Sequence, residues 1–234
     1  MNNNDSLTVE KFLLIFKEFL VVWLNQILYY SKIYPTPTFD QFKAFNLVIL
    51  INRHPDLSQF INQLFINIIN QLIIHKQQSK TNTLSNGLLN INCLIYNVKT
   101  NTIIKKFTIN FYQFITSLNQ TIHSIDDLTS ISDNSSKLNI DGLNWNEINT
   151  QYNALLFNHI QDLKQSPPTP KDTDELFFRI TVDVDKSLYI NSDNNNWVRL
   201  SGSDDKTTSK SHMKPIGQVD LEILNFNCFN ESYE

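Results

Sequence analysis

Apolar residues recur at intervals of three and four along the first thirty residues of the chain. One continuous stripe lies between Leu7 and Lys32 and consists of Val9, Phe12, Leu13, Phe16, Leu20, Trp23, Leu24, Ile27 and Leu28. This spacing predicts a long amphipathic helix with a wide apolar face. Pro35 and Pro37 end the pattern, because proline disfavours helical geometry at the residue before it and supplies no amide donor. A loop is predicted from there to about His54.

Two further helices are predicted. Pro55 suits the first position of a helix, and Asp56 in the first turn complements the positive end of the helix dipole. A third helix begins at Asn144, which Glu147 follows at capping-box spacing, and His159 lies at its edge. The stripe of the second helix, which assigns Phe60 to the core, is Leu57, Phe60, Ile61, Leu64, Phe65, Ile68 and Leu72.

Alternating apolar and polar positions predict three strands. Two of them, from Leu89 to Ile95 and from Ile103 to Ile109, form a hairpin around residues 99–101, and the third extends from Leu176 to Val184. Polar loops are predicted at 76–86, 126–139 and 201–212. Three helices packed on one antiparallel sheet make an α+β fold. The last fifty residues contain an apolar patch from Trp197 to Leu200 and one apolar run from Ile216 to Phe229.

Length and charge narrow the class of protein. The chain has 234 residues, which suits a single domain, 1–234. Its formal net charge of -4 gives no general attraction to the phosphate backbone of a nucleic acid. Cys93 and Cys228 lie in strand-like runs and are predicted to be buried free thiols. The longest uncharged piece of the first helix, Phe19 to Ser31, is too short to span a bilayer, so a soluble intracellular protein is expected.

The chain lacks the common catalytic motifs. Its four glycines cannot form a glycine-rich phosphate loop, and its five histidines are not paired at metal-ligand spacing. Asp183 and Asp185, at the end of a predicted strand, have the spacing of two magnesium ligands but no accompanying basic residue. No catalytic, cofactor or metal site is therefore expected.

One stretch of the chain resembles a known family. The residues from Phe19 to Tyr30, then Ile33-Tyr34-Pro35, and then Asn52-Arg53-His54-Pro55 resemble the first two helices of HORMA-domain proteins, most closely the accessory subunits of translesion DNA polymerase zeta. The resemblance implies a HORMA fold. It divides the chain into a core, 1–184, and a C-terminal safety belt, 185–234, that closes around a peptide of a partner. A belt that opens and closes is expected to lack continuous packing against the core.

The resemblance also implies partners and binding residues. The partners are the catalytic subunit of DNA polymerase zeta, through a proline-bearing peptide, the translesion deoxycytidyl transferase scaffold, and a second HORMA copy. The animal member of the family self-associates through its third helix with an arginine, and the nearest position here, around Asn153, carries no positive charge. The nucleus is the expected compartment, with the cytoplasm as a second location. The peptide-binding residues implied are Tyr34, Leu57, Phe60 and Trp197, and those of the scaffold surface are Met213, Asn227 and Phe229.

Three functions remain open on the sequence. The first is the non-enzymatic adaptor of polymerase zeta. The second is a spindle-checkpoint or meiotic HORMA protein, which has the same fold and other partners. The third is a small metal-dependent hydrolase that uses Asp183 and Asp185.

Overall fold

The computed structural model describes residues 7–70, 88–114, 144–166, 176–184, 197–198, 211–221 and 223–233. These residues form three α-helices, a two-stranded hairpin and a five-stranded antiparallel sheet, and the predicted α+β class is confirmed. The predicted loops at 76–86 and 126–139 lie outside the described residues. Of the polar loop predicted at 201–212, the last two residues belong to a strand.

Helix α1, Val9–Tyr30, is the central element of the core. It begins at Thr8, whose hydroxyl accepts a hydrogen bond from the amide of Lys11 at 3.3 Å. Phe19 and Val22, which lie outside the predicted stripe, are buried as well. Its continuous length and apolar composition would suffice to cross a membrane, so the expectation that it is too short is wrong. However, 67% of that stretch is buried inside the fold, as in the core helix of a soluble protein.

The loop predicted up to His54 is wrong, because this region forms a hairpin of β1, Phe39–Ala44, and β2, Leu47–Asn52. Its two-residue turn, Phe45 and Asn46, has φ values of 48° and 58°. Positive φ at both central positions is the geometry that matches the twist of a hairpin. The turn contains no glycine, and β2 is a nearly continuous apolar run, so neither usual hairpin signal was present.

Side chains of α1 hold the hairpin in place. The amide group of Gln26 donates to the carbonyl of Leu50 at 2.9 Å and accepts from its N–H at 3.4 Å. Asn25 accepts from the N–H of Asn52 at 3.0 Å. These bonds satisfy the backbone of β2 on the side that has no strand partner, which fixes the hairpin against the core.

Helices α2, Pro55–Ile68, and α3, Trp145–Gln165, begin where they were predicted. Pro55 occupies the first turn of α2, and Asn144 caps α3 by accepting from the N–H of Glu147 at 2.9 Å. Phe60 contradicts its predicted core position, because 51% of it is exposed. The buried face of α2 is narrower than the stripe and consists of Ile61, Phe65 and Ile68.

The main sheet has the strand order β5-β3-β4-β7-β6, and every neighbouring pair is antiparallel. Its strands are β3, Leu88–Asn97, β4, Thr102–Phe114, β5, Leu176–Val184, β6, Ser211–Asp220, and β7, Leu224–Tyr233. The predicted hairpin and the strand at 176–184 are confirmed. Helices α1 and α3 pack on one face, called here the inner face, and the opposite face is called the outer face.

The C-terminal strands are part of the core. Phe226 of β7 contacts Phe16, Phe19 and Phe111, with ring centroids 6.0, 5.5 and 5.6 Å away. The expectation that the last fifty residues lack continuous packing is therefore wrong for 211–233. The single apolar run predicted there belongs to two antiparallel strands, which end at Asp220 and begin at Leu224. The division of the chain at 184 stays a prediction.

Both cysteines are buried free thiols, as predicted. Cys93 lies on β3 and Cys228 on β7, both on the inner face, and burial raises the pKa of each thiol.

Candidate functional site

The two edges of the main sheet differ. At the β6 edge, Gln151 of α3 donates to the carbonyl of Asp220 at 2.8 Å and accepts from its N–H at 2.7 Å. Asn158 of α3 donates to the carbonyl of Ile216 at 3.5 Å, and Pro215 has no N–H to offer. Helix α3 therefore satisfies part of the backbone of β6, and the proline blocks further strand pairing there.

The β5 edge has no such cover among the described residues. β5 pairs with β3 from Leu176 to Val184, and no other described strand pairs with it. Phe178, Ile180, Val182 and Val184 point to the inner face and pack against the core. A nine-residue strand with no strand partner on one side, among the described residues, can accept a further strand.

Two of the residues predicted to bind a peptide meet beside this edge. The ring of Tyr34 lies 6.5 Å from that of Phe178, and the ring of Phe60 lies 6.4 Å from it, both edge-on. Burial raises the pKa of the Tyr34 hydroxyl. The three rings, Tyr34, Phe60 and Phe178, form an aromatic cluster near the N-terminal end of β5. Half of the surface of Phe60 is exposed and available for contact.

The other two predicted peptide-binding residues lie against the core. Leu57, in the first turn of α2, and Trp197 are partly buried and pack on the hydrophobic core, whereas Val198 is largely exposed. The role of Leu57 and Trp197 in binding a peptide stays a prediction.

The three residues predicted for a second partner share the outer face. In the register of β6 and β7, Met213 is opposite Glu231, and Phe229 is opposite Pro215. Asn227 and Phe229 alternate with the buried Phe226 and Cys228, so they point away from the helices. The structure thus brings Met213, Asn227 and Phe229 to one surface, far along the sheet from β5.

A buried polar cluster fastens β6 and β7 to α3. The carboxylate of Asp162 on α3 lies 2.6 Å from the Nζ of Lys214 and accepts from the amide of Asn230 at 2.6 Å. Burial lowers the pKa of the neighbouring Lys105, and the negative charge of Asp162 partly opposes that shift. The cluster joins one helix to two strands of the C-terminal segment.

His159 lies one turn before Asp162 and is fully buried, not at a helix edge as predicted. Its ring stacks on Trp23 and contacts Phe107. Burial lowers its pKa to about 4, against smaller opposing effects of Asp162 and the Trp23 backbone. His159 is therefore neutral at physiological pH and behaves as a core residue.

Asp183, the first carboxylate of the hydrolase hypothesis, is engaged by amides. Its Oδ2 accepts from Asn90 at 2.8 Å and from Asn92 at 3.1 Å. Asp185 lies outside the described residues. Within the described part of the chain, no group of three or more His, Cys, Asp or Glu is placed to hold a metal ion.

The fold matches solved structures over nearly its whole length. A chain of the crystal structure of the mitotic checkpoint complex superposes with a TM-score of 0.67, at 12% identity, covering 95% of this chain and 98% of that one. The Caenorhabditis elegans protein HTP-1, solved bound to HTP-3 motif-1, gives a TM-score of 0.63 at 13% identity, covering 95% and 90%. The chain has the HORMA fold. The fold that the resemblance implied is confirmed.

Parts of the chain are similar in sequence to two DNA polymerase zeta processivity subunits. The DNA polymerase zeta processivity subunit of Schizosaccharomyces pombe is 33% identical over 72 residues, 31% of this chain and 34% of that protein. The same subunit of Saccharomyces cerevisiae is 30% identical over 138 residues, 53% of this chain and 54% of that protein. The match thus spans about a third and about half of the length of these relatives. No protein-family model matches the chain.

Phe178 is the residue of this site that sequence reasoning missed. It belongs to a strand that was predicted correctly, and its alternation assigns it to the inner face. Its two aromatic neighbours come from the segment that follows α1 and from α2, more than a hundred residues earlier, so a local pattern could not connect them.

Proposed function

We propose that the chain is a non-enzymatic HORMA adaptor that captures an extended peptide of the catalytic subunit of DNA polymerase zeta. The observation that carries the proposal is the unpaired edge of β5 beside the rings of Tyr34, Phe60 and Phe178. An added strand would gain backbone hydrogen bonds along β5, and its side chains would bury the exposed part of the Phe60 ring. The similarity to polymerase zeta processivity subunits supports this choice of partner.

In this account residues 185–234 act as the safety belt. The strands that flank residues 185–210 are β5 and β6, and they lie at opposite edges of the sheet. A connection between those edges is suited to enclosing a peptide on β5, and Trp197 is the ring we assign to contact with it. Closure around the peptide would act mainly by slowing its dissociation.

A second surface would recruit a further translesion factor. Met213, Asn227 and Phe229 share the outer face of β6 and β7, away from the β5 edge. A deoxycytidyl transferase scaffold bound there would leave β5 accessible, so one adaptor could bridge two proteins. We propose the nucleus as its compartment, because damage bypass acts on chromosomal DNA.

Self-association through α3 is not part of the proposal. Asn153, near the position of the arginine that the animal member of the family carries, donates a hydrogen bond from its side-chain amide to the carbonyl of Phe45 at the tip of the hairpin. That side chain is therefore engaged within the chain.

A second candidate is a checkpoint or meiotic HORMA protein, which would have the same fold as the solved structures and other partners. Affinity purification from the cells that make this protein separates the two functions. Recovery of a large polymerase subunit, with the bound segment mapped by limited proteolysis, supports the adaptor function. Recovery of checkpoint or chromosome-axis proteins without polymerase contradicts it.

A further inference from the structure

Two opposite charges lie on the outer face of β5, the strand with the unpaired edge. Arg179 is opposite Leu94 of β3, and Asp183 is opposite Asn90. They are four residues apart on the same face, which corresponds to about 13 Å along a strand. Thr181, which lies between them on the same face, is uncharged. A strand added to β5 would place alternate side chains directly beside this pair.

The charge of Arg179 has no anionic partner among the described residues. Its guanidinium carbon lies 5.0 Å from the centroid of the Tyr96 ring, which holds the side chain over β3. A ring face attracts a cation but leaves its charge uncompensated. The partly exposed guanidinium thus has hydrogen-bond donors that can pair with a carboxylate of a bound peptide.

Asp183 is held from one side. Asn90 and Asn92, both on β3, donate to Oδ2, while Oδ1 makes no hydrogen bond to any described residue. Asn90 is in turn fixed by Asn110 at 2.6 Å, and Asn92 by Thr108 at 3.0 Å. This network orients the carboxylate before anything binds, and an oriented charge loses less conformational entropy on pairing.

We propose that β5 selects captured peptides by charge order: an acidic residue beside Arg179 and a basic residue four positions away beside Asp183. The inference rests on the proposed function, since it assumes that the peptide adds as a strand to β5. Positions between the two charges that face inward would be apolar, because they meet Ile180 and Val182. The partner peptide is therefore amphipathic, with its charges on one face.

The order of the two charges in the peptide also indicates whether it binds parallel or antiparallel to β5. In an antiparallel arrangement the basic residue comes first in the peptide, and in a parallel arrangement the acidic residue comes first. Either order satisfies the same pair, but one chain has one bound geometry. A single order should dominate among its ligands.

The test uses the full chain and a phage-displayed library of random peptides about twelve residues long. The library is sorted against the wild-type chain, against Arg179→Glu/Asp183→Lys, and against the control Asp40→Lys/Lys164→Glu, whose residues lie on β1 and α3. The library is also sorted against the single variant Arg179→Glu. The reason is that Asp183→Lys would place a cation beside the two amide donors Asn90 and Asn92 and disturb the sheet. Thermal unfolding of each variant verifies the fold.

Wild type and control should enrich peptides with opposite charges four positions apart in one order, and the double variant should enrich the reverse order. Arg179→Glu should lose the acidic preference and keep the basic one. For a selected peptide, exchanging its two charges should weaken binding by about tenfold at low salt and less at high salt. Selected peptides without this charge pair, or with one order for every variant, would overturn the inference. Failure to enrich any peptide would contradict peptide capture itself.

Discussion

The ring of Phe60 meets the ring of Phe178 edge-on, with 6.4 Å between the ring centroids. This contact links α2 to β5, the edge strand whose outer side has no strand partner among the described residues, although half of Phe60 remains exposed. Phe60→Ala should leave the fold intact and speed the release of a captured peptide, with a cost of about 2 kcal/mol in binding, as for other aromatic hot spots. The measurement is the peptide off-rate beside the unfolding temperature of the free variant.

Phe65→Ala is the matched control for that experiment. Phe65 lies on the same helix and is fully buried. Its truncation should reduce the free energy of unfolding by about 3 to 5 kcal/mol. If Phe60→Ala were to destabilise the free chain as much as Phe65→Ala, Phe60 would be an ordinary core residue.

Trp197 supplies a second test of the same site from the C-terminal segment. Because its ring packs partly buried on the core, Trp197→Ala should lower the free energy of unfolding by about 1 to 2 kcal/mol, less than a fully buried ring. Its larger effect should be faster peptide dissociation. An unchanged off-rate would remove Trp197 from the clasp, and Trp197→Phe should retain most of the binding.

The carboxylate of Asp162 should be a major stabiliser of the C-terminal strands. Asp162→Ala leaves the amide of Asn230 without its acceptor and the ammonium of Lys214 without its partner, at a cost of about 3 kcal/mol. Lys214→Met should cost less, because half of the Lys214 side chain is in solvent. In Asp162→Ala, amide hydrogen exchange should speed up more in β6 and β7 than in β3. An equal increase in all three strands would contradict a local role for Asp162.

His159 should make the fold sensitive to acid. Its pKa of about 4 in the folded chain is below the ordinary value of 6.5, so the unfolded state binds the proton more readily between those values. The free energy of unfolding should therefore fall as the pH drops from 6.5 to 4, by about 3 kcal/mol from this group. His159→Phe should remove that part of the pH dependence in chemical denaturation. Equal slopes for both proteins would contradict it.

The helices and three of the five strands of the main sheet could be predicted from the sequence, because each is encoded by a pattern of neighbouring residues. The stripe of α1, the proline at the start of α2 and the Asn144 cap of α3 are properties of neighbouring residues. The hairpin of β1 and β2 was not predicted, because its turn is Phe45-Asn46 and contains no glycine. Side chains of α1 also supply hydrogen bonds to the backbone of β2, and this contact is not local in the sequence. Neither feature is visible in a local pattern.

The candidate site could be predicted only in part, for the same reason. Tyr34 and Phe60 followed from the resemblance, but their meeting point, Phe178, depends on how α2 sits against β5. The difference between the two sheet edges depends on Gln151 and Pro215, which lie 64 positions apart in the chain. Packing of this kind requires the tertiary structure.

Hydrogen exchange of β5 with and without the captured segment tests the central claim most directly. The segment mapped by affinity purification is added to the full chain, and deuterium uptake is followed in Leu176–Val184 and in Ser211–Asp220. If a peptide adds as a strand, uptake in β5 should fall markedly on binding, because amides that faced solvent become hydrogen-bonded, and the outward side of β6 should change little. Unchanged uptake in β5 while the segment is bound would contradict the account, and so would protection that begins at β6.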